Sequence, residues 1–102
     1  MLTPQELFDL MIVKAKEIAP DKEFNKLNKA MLMECCENVI ANENAKDMST
    51  DSMMLAALSA LQVCQGMMKG LISGLIPQAG DIVNLTYRGE TYTFDKNSPI
   101  LN

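Results

Sequence analysis

Between Ser52 and Ile76 the chain carries one charged residue, Lys69, and three glycines spaced by four, Gly66, Gly70 and Gly74. The run is too long for a strand and reads as one helix, stopped by Pro77, which has no amide hydrogen to continue it. Each interior glycine costs such a helix roughly 1 kcal/mol relative to alanine. Close packing against another backbone, a partner or a ligand is predicted to offset that cost.

At about 100° per residue, Leu58, Leu61, Cys64, Met68, Leu71, Ile72 and Leu75 fall on one broad side of this helix. Ser52, Ser59, Gln62, Gly66, Lys69, Gly70, Ser73 and Gly74 share the opposite arc. An ordinary solvent face would carry Glu, Lys and Arg. This arc is small and weakly polar instead, so much of it is expected to be covered. Ser59, Gln62, Gly66, Lys69, Gly70, Ser73 and Gly74 are the candidate interface.

The rest of the chain places that helix in a small soluble domain. The 102 residues suffice for one core, and 48% of them are apolar. Thr3-Pro4-Gln5-Glu6 is a helix start: Thr3 caps, Pro4 suits the first turn and Glu6 completes a capping box. That helix spans about 4–18, with Leu7, Phe8, Met11, Ile12, Ala15 and Ile18 as its apolar face. Leu10 and Val13 widen the face, which predicts cover on more than one side, and Pro20 ends the helix. A second helix is predicted over about 22–41. Its stripe is Phe24, Leu27, Met31, Cys35 and Val39, broadened by Leu32, Cys36 and Ile40. Lys22, Lys26 and Lys29 near its start read as a solvated face. Residues 42–51 are polar and aperiodic and form the connection. Ser49 or Thr50 then caps the third helix, over about 51–75, with Asp51 favourable in its first turn.

After a turn at Gln78–Gly80 the period changes to two. A hairpin over about 81–95 puts Val83, Leu85, Tyr87, Tyr92 and Phe94 on one face and Asn84, Thr86, Arg88, Thr91, Thr93 and Asp95 on the other. Gly89-Glu90 is read as a type II′ turn, which pairs Leu85 with Phe94 and Tyr87 with Tyr92. A lone hairpin is marginal in water, so its aromatic face must dock. Residues 96–102 read as an extended tail, with Ile100 and Leu101 able to pin it. The fold class is therefore α+β: a three-helix core followed by a C-terminal antiparallel β-hairpin, in one domain over 1–102.

Composition narrows the chemistry. There is no histidine, which removes the commonest general acid–base and the commonest metal ligand. Net charge is −4, from 13 acidic and 9 basic residues, a poor balance for binding nucleic-acid phosphate. Cys35, Cys36 and Cys64 are odd in number. Adjacent Cys35 and Cys36 point about 100° apart on a helix and do not bridge each other. They read as buried, reduced and apolar, which suits a cytoplasmic chain. Met1 to Glu6 lack the basic region of a secretory leader. The nine methionines read as core filling, yet Met53-Met54 and Met67-Met68 cannot all face one way.

GxxxG in an apolar run also marks helix pairing in membranes. Gln62, Gln65 and Lys69 inside the run, beside two soluble-looking helices, favour the soluble reading. The expectation is a non-enzymatic, homo-oligomeric protein-interaction module without metal or cofactor, whose partner is a protein, itself or both. Its size and acidity also suit a virus- or mobile-element-encoded inhibitor of host machinery. Two alternatives stand beside it. One is an oligomer that binds an anionic metabolite or nucleotide, with Lys69, Arg88, Thr86 and Thr91 as candidate contacts. The other is an assembly subunit of a larger particle.

Overall fold

The computed structural model describes residues 1–21, 24–75 and 82–95. Three α-helices, α1 (Pro4–Ile18), α2 (Lys26–Ala41) and α3 (Thr50–Leu75), precede two antiparallel strands, β1 (Ile82–Tyr87) and β2 (Glu90–Asp95). The chain is thus an α+β fold, three helices followed by a C-terminal hairpin. Residues 22 and 23, 76–81 and 96–102 lie outside the described residues, and with them the expected helix stop at Pro77, the expected turn at Gln78–Gly80 and the expected tail.

Local chemistry sets the helix ends. Thr3 accepts the Glu6 amide at 3.1 Å and the Glu6 carboxylate accepts the Thr3 amide at 2.9 Å, so the capping box is formed. The same contacts hold the Glu6 carboxyl below its ordinary pKa, the backbone hydrogen bond at Thr3 first. α2 starts later than its periodicity predicts, at Lys26, because Asn25 caps it by accepting the Asn28 amide at 2.8 Å. The connection is not wholly irregular. A single 3-10 turn, Glu43–Asp47, is set by Asn42, whose side chain accepts the Asn44 amide at 2.9 Å, and Ala45 anchors it by burial. Ser49 caps α3 through the Ser52 amide at 3.1 Å.

α2 is the central element. Its Leu27, Met31, Leu32, Cys35 and Cys36 are buried, and both α1 and α3 pack against it while meeting each other only briefly. α1 contributes Leu7 and Met11, whose sulfur lies 4.0 Å from that of Cys36. α3 contributes Met53, Ala57, Leu61 and Ile72. One polar pair crosses the interface: the fully buried Asn28 accepts from the Gln65 side chain at 3.0 Å. Among the described residues every buried side-chain nitrogen and oxygen has a partner.

The hairpin keeps its predicted faces but not its predicted register. Val83 pairs with Phe94, Leu85 with Tyr92 and Tyr87 with Glu90, so the turn is Arg88-Gly89 rather than Gly89-Glu90. Both turn residues have positive φ, 51° and 84°, as a type I′ turn demands. The two registers differ by two residues along one strand. A period-two pattern cannot tell them apart, and for the same reason the faces survive. Val83 and Phe94 are buried, Leu85, Tyr87 and Tyr92 are half-buried, and Asn84, Thr86, Thr91 and Thr93 are exposed.

Candidate functional site

The largest departure from the sequence-based expectation lies on α3. Its buried stripe is narrow, and the apolar residues beyond it are bare: Leu55 is 64% exposed, Leu58 42%, Val63 62%, Met67 71% and Leu71 51%. Leu58, Leu71 and Leu75, which the sequence places on one broad apolar side with Leu61 and Ile72, are all exposed. The cause is that α2 supplies most of the cover on α3, which α1 meets only briefly, and one helix can cover only one side of another. α1 shows the same economy. Leu10, Val13 and Ile18 are exposed, so among the described residues nothing covers the second side of α1 that the sequence led us to expect covered.

The candidate interface arc is bare too. Ser59, Gln62, Gly66, Lys69, Gly70, Ser73 and Gly74 are all exposed, and a Cβ added at Gly66, Gly70 or Gly74 would meet nothing within 4 Å. Close packing inside the chain therefore does not account for these glycines. The methionine pairs divide as their spacing requires. Met53 is buried and Met54 half-buried, while Met68 packs on the core and Met67 points outward.

Because α1 and α3 diverge over α2, they leave an apolar groove of about 670 Å³. Met11, Ala15, Ile18, Phe24, Leu32, Met54, Leu55, Leu58 and Leu61 line it, with Lys14, Asp51 and Gln62 among the few polar members. Lys14 lies 3.6 Å from Glu17, one helical turn away. Leu55 and Leu58 line this groove and are exposed, so they stand at its open edge on the first half of α3.

The other candidate contacts lie elsewhere and have work within the fold. Arg88 is paired with Glu37 of α2 through two hydrogen bonds of 2.6 and 3.4 Å. That pairing, the hydrogen bond first, raises the guanidinium pKa. Thr86 and Thr91 lie 3.3 Å apart, hydroxyl to hydroxyl, across the strands. Only Thr91 of the four borders a cleft, a shallow one of about 280 Å³ shared with Asn25, Lys26 and Leu27. Lys69, on α3, is not among its walls. The hairpin is instead a docked element, its Tyr87 hydroxyl donating to Glu34 of α2. Sequence reading missed this role for Glu34 and Glu37. Their spacing of three on α2 was visible, but the register that brings Tyr87 and Arg88 to them was not.

Cys35 and Cys36 are buried and Cys64 half-buried, all three as free thiols. Burial pushes the Cys35 thiol up to about 12, helped by the neighbouring Cys64, and the Cys36 thiol up to about 11, helped by Glu37. Such thiols are poor nucleophiles. Among the described residues no three His, Cys, Asp or Glu side chains are placed to hold a metal ion.

α3 is long and apolar enough to cross a bilayer by length and composition, but its Met53, Ala57, Leu61 and Ile72 are committed to the core. No family model, no curated protein and no solved structure matches this chain.

Proposed function

We propose that this chain is a non-enzymatic, homo-oligomeric protein-interaction module of the cytoplasm that binds through the outer face of α3 and the adjoining groove. One observation carries the reading: Leu55, Leu58, Val63 and Met67 stand exposed on a helix whose outward arc has almost no charge. Exposed apolar side chains at the edge of an apolar groove, as at Leu55 and Leu58, support a contact site on a soluble protein. An inhibitor of host machinery and a subunit of a larger particle are both forms this module could take. The hairpin supports a binding role for α3 rather than for itself, because its aromatic face and Arg88 are occupied by α2.

Native mass spectrometry of freshly purified protein tests the reading, with the variant Leu55→Glu/Leu58→Glu alongside. Both leucines are exposed, so the variant should fold with a stability change within about 0.5 kcal/mol. A discrete assembly in the wild type that is lost in the variant is the expected result. A bare monomer in both, or an assembly indifferent to the two glutamates, overturns it. A small extra mass released on denaturation would point to the ligand-binding alternative.

A further inference from the structure

We propose that the occupant of this surface is a second copy of the chain, its α3 lying antiparallel to the first across a two-fold axis near Ala60, so that Asp51 meets the partner's Lys69. The proposal rests on the reading of the outer α3 face as an interaction surface and specifies what covers it.

The charges carry the argument. From Thr50 to Leu75, α3 has only two charged residues, Asp51 and Lys69. They are 18 residues apart, which is about five helical turns, so they project from the same line along the helix, about 27 Å from each other. Both are exposed. Two such helices laid antiparallel and centred on Ala60 bring Asp51 of each copy to Lys69 of the partner subunit, twice by symmetry. A parallel pair in register would set Asp51 against Asp51 and Lys69 against Lys69. Lys14, the other charge on the groove, already has Glu17 beside it.

Shape agrees with charge. α1 flanks only the first half of α3, since the groove takes its α3 residues from Asp51 to Gln62. The second half, with Val63 and Met67, has no such flank. Antiparallel overlap lays the line of Gln62, Gly66, Lys69 and Ser73, which shares the azimuth of Asp51, along the partner's groove, while Val63 and Met67 project about 120–160° away from it. It also sets Leu55 against Gly66 of the partner subunit, where the space beyond the glycine is open to at least 4 Å. The glycine's missing side chain then becomes the seat of a leucine.

Cysteine cross-linking in the full chain with Cys64→Ser tests the arrangement, using a short bis-maleimide and the Cys64→Ser chain without an added cysteine as background. Ser59 is one residue from the axis, so Ser59→Cys should give a cross-linked dimer. Ser73 is on the same face but 13 residues from the axis. Antiparallel copies hold the two Ser73 positions about 39 Å apart, and Ser73→Cys should not cross-link. A strong Ser73→Cys cross-link means parallel pairing and overturns the proposal. Failure at Ser59→Cys overturns it too.

Charge reversal gives an independent readout by sedimentation equilibrium at low salt. Asp51→Lys alone, or Lys69→Asp alone, creates two like-charge contacts and should weaken self-association on the order of tenfold. The double variant should restore it to within about twofold, because the pair is merely exchanged. Additive losses in the double variant overturn the pairing. If cross-linking fails while an assembly remains sensitive to Leu55→Glu/Leu58→Glu, the antiparallel second copy is wrong and the face reading stands. Cosedimentation with phosphatidylcholine vesicles, without a Ser59→Cys cross-link, would assign the face to lipid and overturn the proposal.

Discussion

Cys35 and Cys36 show what a residue's neighbourhood does to its chemistry. Adjacent thiols on a surface would be a redox liability. On α2 they point into the contacts with α3 and α1 and behave as small apolar groups. Their burial, unlike the exposure of Leu58, was legible in sequence, because both fall within the apolar stripe of a helix covered on two sides. Thiol reagents at neutral pH should therefore modify Cys64 first, and Cys35 and Cys36 only at the rate of unfolding. The pH dependence follows from the raised pKa values. Below the ordinary thiol pKa of 9.0 both thiols are protonated in the folded and the unfolded chain, so they add no pH dependence. Above it the unfolded chain loses these protons while the folded chain keeps them until about 11 at Cys36 and about 12 at Cys35. Stability should fall as pH rises from 9 through that range. Urea titrations at a series of alkaline pH values check it, and the fall should be shallower in Cys36→Ala, measured against that variant's own neutral-pH stability.

At the scale of elements the hairpin is the instructive case. Alternation located its strands and sorted its faces, because side-chain period is a local property. Register was not legible, because two turns of equal length suit the same alternation. The choice is made by contacts outside the hairpin. With Arg88-Gly89 as the turn, Arg88 adopts a left-handed conformation that costs a non-glycine residue about 1–2 kcal/mol. In return Tyr87 and Arg88 reach Glu34 and Glu37, and Val83 and Phe94 are buried as a pair. The hairpin is thus clasped to α2 by two carboxylates. Tyr87→Phe keeps the ring and removes the hydroxyl, and should cost about 1–2 kcal/mol, in the range of a hydrogen bond to a charged group. The loss should appear first as faster amide exchange in β1 and β2, with α2 protection falling less. Equal loss of protection in the hairpin and all three helices would mean that the hairpin opens only with the whole fold.

At the scale of the whole molecule, the glycine arc lies exposed where its lack of charge led the sequence reading to expect cover. Absence of charge is written in the sequence, but cover is not. Which neighbour covers the arc depends on how many helices the fold contains and how they stack, and two helices packed on a central α2 leave none among the described residues for the outer side of α3. The fold therefore has a core of its own and a second apolar surface that its own elements do not reach. If copies of the chain meet there, association and folding are linked by mass action. A tenfold rise in protein concentration then adds about 1.4 kcal/mol to the stability of a dimer. Two chains of 102 residues have a melting entropy near 0.43 kcal/mol/K on the usual per-residue scale, so Tm should climb about 3 °C per tenfold rise in concentration. Leu55→Glu/Leu58→Glu removes the apolar contact and leaves the core intact, so its Tm should not move with concentration. The two melting curves should converge at the lowest concentrations, where the wild type is also a single chain. A wild-type Tm that is flat from micromolar to millimolar protein, with vesicles absent, would mean that no second copy reaches α3.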